Sequence, residues 1–296
     1  MRVFITGGTG YIGSAIVEAL LAAGHKVSGV SRSHESDAVL RRLEVEPVRG
    51  ALGELAKLVP FMAQHDVLVH AAIDYGLGPA ADREAIDAML EAARQDGGPK
   101  AVVYTSGVWV LGNTPTPADE GAPVDHPAAA SAWRPEHERI VLDAATEHLA
   151  TAVIRPGMVF GERRGLLSPF FQTAVKEGAA AFVGDGTNHW ALVHREDLAE
   201  LYRLTVEKRA RGVFHGVDGA SPTVAELARA ASVAAGKGAI RAIPLEEARA
   251  KMGVVADALV LDQFVVAPRA LELGWQPKVP PFVQSVARAF REWSGG

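Results

Sequence analysis

Three features predict an α/β fold built on a doubly wound parallel sheet. Short β-rich runs alternate with helix-length segments through the first two-thirds of the chain. Several of those runs are apolar almost without a break, as in Asp66-Val-Leu-Val-His-Ala-Ala72. A glycine cluster, Gly7-Gly-Thr-Gly10, stands between the first such run and the first helical stretch. Alternation of this kind requires right-handed crossovers that cover both sheet faces, and strands covered on both faces lose the in-and-out pattern.

Taken in order, the expected strands are 2–6, 26–31, 45–49, 67–72, 101–106 and 151–155, with 213–217 returning later. The first helix is expected over 14–23. Ile16, Val17, Leu20 and Leu21 share one face there, and Gly24 supplies the stop. The same period predicts helices over 83–94, 136–148 and 195–206. After Gly161 glycine and proline become frequent, and the turn Gln276-Pro-Lys-Val-Pro-Pro281 precedes a last amphipathic helix over 282–293. The expected division is therefore a dinucleotide-binding domain of residues 1–160 plus about 190–219. A smaller substrate-binding domain would comprise 161–189 plus 220–296.

Composition narrows the chemistry. The 296 residues include no cysteine, which excludes disulfides, thiolate nucleophiles and cysteine-held metals. A net charge of −5 provides no field for nucleic acid or anionic membrane. No apolar run approaches the roughly 20 residues of a membrane span, and no signal peptide is evident, so a cytoplasmic protein with a small-molecule substrate is expected. No metal is expected, because the histidines lack partners at ligand spacing.

The glycines carry the most specific signal. In Val3-Phe-Ile-Thr-Gly-Gly-Thr-Gly-Tyr-Ile-Gly13, Gly7, Gly10 and Gly13 follow a strand and open a helix. That context suits a tight turn, close approach of backbone to a pyrophosphate, and close helix–sheet packing. The phosphates would rest on the helix N-terminus, reached by the backbone around Thr9, Tyr11 and Ile12. The second strand ends Val27-Ser-Gly-Val-Ser-Arg-Ser33, with no acid before Glu35. An acid there would accept from a ribose 2′-hydroxyl, whereas Arg32, with the hydroxyls of Ser31 and Ser33, suits a 2′-phosphate. NADP(H) is therefore expected, with NAD the alternative.

The spacing Thr6-Gly-x-x-Gly-x-x-Gly13 resembles the extended short-chain dehydrogenase/reductase superfamily, a Rossmann-fold group that includes NAD-dependent epimerases and dehydratases. Further stretches match in order: His70-Ala-Ala72, Val103-Tyr-Thr-Ser-Gly-Val-Trp-Val-Leu-Gly112, Ile154-Arg-Pro-Gly-Met-Val-Phe-Gly161, the segment from Gly184 to Asp197, and Leu271-Glu-Leu-Gly-Trp275. The resemblance implies cofactor contacts at Leu52, His70, Ala71, Ala72, Thr105, Pro156, Gly157 and Val159. It also implies a substrate pocket near Asp74, Tyr75, Trp109, His189 and Trp190. Relatives often form homodimers through helices matching those near 83–94 and 136–148.

Members of that superfamily work with Ser or Thr, Tyr and Lys, the last two spaced Tyr-x-x-x-Lys. The four tyrosines here are Tyr11, Tyr75, Tyr104 and Tyr202, and none has a lysine four residues on. Aligned through Glu138, Ala130 takes the tyrosine position and Arg134 the lysine position; a shift of three offers Trp133 and His137. Gly107 stands where the serine is usual, with Ser106 one residue earlier. Arg134 keeps a cation and donors for the nicotinamide ribose but cannot share a proton at neutral pH. His137, titrating at about pH 6.5, would serve as acid or base if it faces the pocket and is otherwise a helix-surface residue. Tyr75 is the tyrosine placed to donate a proton, or an ordinary loop aromatic. Asp197 is expected to cap its helix, and Asp119 and Glu120 to lie in a solvated turn. Three functions stay open: an oxidoreductase on a small carbonyl or alcohol, an epimerase or dehydratase on a sugar nucleotide, and a redox-silent dinucleotide sensor with a protein partner.

Overall fold

The computed structural model describes residues 1–74, 76–95, 97–98 and 100–295. Seven strands form one parallel sheet: β1 (Arg2–Thr6), β2 (Lys26–Ser31), β3 (Glu46–Arg49), β4 (Val67–His70), β5 (Ala101–Thr105), β6 (Ala150–Pro156) and β7 (Gly212–Gly216). Their order is β7-β6-β5-β4-β1-β2-β3. The chain thus reverses direction between β1 and β4, which is where such sheets bind ligands beyond the strand carboxyl ends. The uninterrupted apolar runs are explained by their cover: β1, β4 and β6 are buried along nearly all of their length.

On one face pack α1 (Tyr11–Ala22) and α5 (Arg195–Lys208), through Ile16, Val17, Leu20, Leu198, Leu201 and Tyr202. On the other pack α3 (Gly78–Arg94) and α4 (Arg134–Asp143), through Ala85, Ile86, Met89 and Val141. Between β2 and β3 runs α2 (His34–Arg42), opened by a reciprocal cap of Ser33 and Ser36. Residues 158–192 and 224–289 build a separate aromatic cluster around Phe160, Phe170, Phe171, Trp190 and Phe282.

Four expectations are corrected by the packing. The helix anticipated over 136–148 stops at Asp143, because Thr146 Oγ1 accepts the amides of His148 and Leu149 and turns the chain. Val265, Ala267, Ala270 and Trp275, assigned from sequence to the smaller domain, belong to the sheet's own cluster. The strand Gln263–Val265 pairs in parallel with Thr114–Ala118. Glu120 is buried rather than solvated, and it accepts the amides of His215 and Arg269. Asp197 does not cap its helix; His194 does, taking the Glu196 amide. The Asp197 carboxylate instead accepts the amides of Lys278 and Val279, and its carbonyl takes the Trp275 indole N–H, which ties the C-terminal segment to the sheet.

Candidate functional site

The glycine turn between β1 and α1 is built for close approach. Gly7 has φ +75°, and a Cβ there would lie 2.6 Å from the Ala71 carbonyl oxygen. A Cβ on Gly13 would lie 2.0 Å from the Gly7 carbonyl oxygen, so only glycine lets α1 start this near the turn. The Gly10 amide closes the turn onto Gly7 O at 2.7 Å. No acidic side chain stands in the first turn of α1, so its N-terminus presents free amides in a positive field. This cradle fits a dinucleotide pyrophosphate. Thr9 and Ile12 are half-buried beside it, and the Tyr11 hydroxyl donates to Gly161 O, pinning the loop after β6 against the turn.

At the end of β2 the Ser31 hydroxyl is used internally, donating to Ser33 O. Arg32 is 77% exposed at its side chain and reaches Asp74 Oδ2 at 3.3 Å. An acid therefore does stand at this position, arriving from the end of β4. Leu52 packs half-buried against the α3 side of the sheet, and Ala71 and Ala72 are half-buried at the end of β4. Pro156 ends β6, Gly157 sits against the Ala191 carbonyl, and Val159 is buried on the strand Met158–Phe160.

At the carboxyl ends of β4 and β5 lies a buried polar network centred on Asp82. The Tyr104 hydroxyl donates to Asp82 Oδ2 at 2.9 Å, and His137 Nδ1–H donates to the same oxygen at 2.7 Å. His70 Nε2 stands 3.2 Å from Asp82 Oδ1, and its Nδ1 meets Thr6 Oγ1 at 2.6 Å. Burial opposes a charge on Asp82, but the contacts from His137 and His70 and the charge of Arg134 prevail. Together they hold the carboxyl well below its ordinary range. Burial, aided by Asp82 against the opposing field of Arg134, pushes the Tyr104 phenol far above its ordinary value.

Arg134, on the first turn of α4, joins this network from the site side. Its Nη1 donates to the Thr105 carbonyl at 2.7 Å and to the Tyr104 oxygen at 3.3 Å, and its guanidinium lies 4.4 Å from the Trp133 ring centroid. Nη2 and Nε have no hydrogen-bond partner among the described residues. Thr105 Oγ1 shares a 2.6 Å hydrogen bond with Tyr202, on the opposite sheet face. Behind Arg134, Glu138 holds Arg155 of β6 through three buried hydrogen bonds, two from Nε at 3.0 Å and 3.1 Å and one from Nη2 at 2.5 Å.

Not every expected residue joins this hydrogen-bond network. Among the described residues, the Oγ of Ser106, itself 7% exposed, has no partner, and the indole nitrogen of the partly buried Trp109 likewise has none. His137 is neither a surface residue nor free, since Asp82 takes its Nδ1–H and Trp133 packs edge-on at 4.9 Å. Trp190 is withdrawn from any substrate: 3% exposed, it stacks on Phe170 and gives its N–H to Leu259 O. His189 is engaged by Asp262 at 2.8 Å and packed on Phe264. Tyr75 lies outside the described residues. Among the described residues one trio, His194, Glu196 and Glu292, has ligand spacing, but Arg288 already pairs with both carboxylates.

Asp82 was missed by sequence reasoning, although a signal existed. It falls in register with Ala85, Ile86 and Met89 on the buried stripe of α3, and an acid at such a position needs partners. Its partners come from β4, β5 and α4, which no local pattern links.

The sequence model of the NAD-dependent epimerase/dehydratase family matches residues 3–215. The chain belongs to that family. Among relatives of this epimerase/dehydratase-family chain, the uncharacterized protein C2A9.02 of Schizosaccharomyces pombe is 32% identical over 286 residues, 94% of this chain and 95% of that one. A 4-hydroxy-2-methyl-3-oxo-4-farnesyl-3,4-dihydroquinoline-1-oxide ketoreductase of Stigmatella aurantiaca is 30% identical over 231 residues, 74% of this chain and 69% of that one. In fold the chain is similar to human epimerase family protein SDR39U1, isoform 2, crystallised with NADPH, at a TM-score of 0.83 and 24% identity over 98% and 99% of the two chains. A nicotinamide dinucleotide is thus the cofactor type of this epimerase/dehydratase-family fold, and the glycine cradle has the shape for its pyrophosphate.

Proposed function

We propose that the protein is an NADP(H)-dependent oxidoreductase acting on a small carbonyl or alcohol, working without a Ser-Tyr-Lys triad. The observation that carries the reading is Arg134. A guanidinium fixed by the Thr105 carbonyl and the Tyr104 hydroxyl keeps its other donors unspent, beside the strand ends where the nicotinamide half of a dinucleotide lies. The kinship with a ketoreductase supports carbonyl chemistry.

When bound, the nicotinamide supplies or accepts the hydride. Arg134 grips the nicotinamide ribose with its spare N–H groups, and its fixed charge favours negative charge developing on a nearby substrate oxygen. Tyr104 is no proton donor to substrate, because its proton is committed to Asp82 and its phenol is held protonated by burial. The Ser106 hydroxyl, one residue beyond β5 and without a hydrogen-bond partner among the described residues, hydrogen-bonds the substrate oxygen, and the proton that oxygen gains comes from a water entering with the substrate. Arg32 receives the 2′-phosphate in exchange for Asp74. A homodimer through α3 and α4 belongs to the same reading.

The test is NADPH consumption against a panel of aldehydes and ketones, with the Arg134→Ala and Ser106→Ala variants alongside. Turnover that falls in both variants supports the assignment. Tight NADPH binding with no turnover on any carbonyl would replace it with a redox-silent sensor.

A further inference from the structure

The buried network around Asp82 has one branch that leads through Tyr104 to Arg134. Asp82 accepts the Tyr104 proton, which leaves the Tyr104 oxygen free to accept from Arg134 Nη1. Were that phenol to point its proton the other way, it would meet a guanidinium N–H donor to donor. Asp82 prevents this, because an ionised carboxylate only accepts. Its own orientation is set by the hydrogen bond from His137 on α4, while His70 on β4, held by Thr6 on β1, stands 3.2 Å from its other oxygen. Four elements therefore determine which way one tyrosine hydroxyl points.

We infer that Asp82 and Tyr104 are positioning residues for cofactor binding: through the direction of the Tyr104 hydroxyl they lock Nη1 of Arg134, and so aim its Nη2 and Nε at the nicotinamide ribose. This rests on the reading that Arg134 grips that ribose. A lysine in this position would rotate its three donors to suit any partner, whereas a guanidinium is a planar fork whose free edge points correctly only when its bound edge is fixed. The arrangement supplies that fixity from the protein interior, with the Thr105 carbonyl as the second point on Nη1. Trp133, 4.4 Å from the guanidinium, limits rotation out of plane.

The prediction concerns only half of the cofactor. Calorimetric titration of the full-length protein with NADPH, and with adenosine 2′,5′-bisphosphate as its adenosine half, separates the two. If the wild type prefers NADH, that dinucleotide and 5′-AMP take their places. Tyr104→Phe and Asp82→Asn are each expected to weaken NADPH about tenfold, the scale of one charge-assisted hydrogen bond. Affinity for the adenosine half should stay at the wild-type value. In an Arg134→Ala background, Tyr104→Phe should cost nothing further. Should Asp82→Asn fail to fold, Tyr104→Phe, which removes one oxygen and leaves Asp82 its histidine partners, carries the test alone. Unchanged NADPH affinity in Tyr104→Phe overturns the inference. So does an equal loss for both ligands, and so does a full effect persisting without Arg134. A wild type that binds no dinucleotide would instead overturn the proposed function.

Discussion

Arg32 at the end of β2 and Asp74 beyond the end of β4 face each other across β1, with Nη1 3.3 Å from Oδ2. The pair brings together a residue expected to read the adenosine ribose and one expected near the substrate. Asp74 also accepts the amides of Gly76 and Leu77, so it organises the turn that leads into α3. An exposed pair like this is held by well under 1 kcal/mol, so a phosphate displaces it readily.

On the proposed NADP(H) reading, Asp74 works against the 2′-phosphate. Asp74→Asn, which keeps an oxygen for the two turn amides, is expected to tighten NADPH severalfold while leaving NADH nearly unchanged. Arg32→Asp should reverse the preference. Fluorescence titration with both dinucleotides checks this, and an Asp74→Asn variant that gains equally for both would exclude the competition.

Gly13→Ala should abolish dinucleotide binding, since its Cβ would fall 2.0 Å from a backbone oxygen that cannot yield. Gly24→Ala is the control for substitution at a glycine as such. Its φ of +80° costs on the order of 1 kcal/mol, nothing lies within 4 Å of the added carbon, and binding should persist. Cofactor titration of both variants reads the difference.

The buried pair Arg155–Glu138 should be costly to break from one side. Glu138→Gln leaves a buried guanidinium without its counter-charge, an expected loss of about 3–5 kcal/mol in urea unfolding. Replacing both with leucine and methionine should cost far less. Arg83→Ala, which breaks only exposed contacts with Asp87 and Glu136, should change stability by less than about 0.5 kcal/mol.

Asp218, beyond β7, has one carboxylate oxygen without a partner among the described residues, and burial raises its carboxyl to about 6 against the relief offered by the Ala220 amide. A raised carboxyl binds its proton more tightly folded than unfolded, so stability falls as pH climbs from about 4 to about 6 and is level above that. Asp218→Asn should thus stabilise the protein on the order of 1–2 kcal/mol at pH 7.5, and this gain should vanish below about pH 4. Urea unfolding at both pH values tests the sign.

Local patterning reached far into this fold. The strand run at 2–6 matched residue for residue, because a run covered on both faces has an apolar signature of its own, and 26–31 matched as well although only Val27 and Val30 are apolar there. The glycine turn was equally legible, since its steric demand is met by only one residue type. Where chain segments meet only in three dimensions, patterning failed. Glu120 looked like solvent-facing turn until His215 and Arg269 came to it. His137 was read as either pocket or surface, and Asp82 made it neither.

What the sequence determined by itself was thus the parallel sheet, the tight glycine turn and the absence of any tyrosine with a lysine four residues on, all of which depend on spacing along the chain. Only the tertiary structure decided how Arg134 is held: through Tyr104 by Asp82. The reason is physical. A hydrogen-bond network is set by the directions in which donors and acceptors converge from four separate elements, and no local periodicity encodes a direction in space.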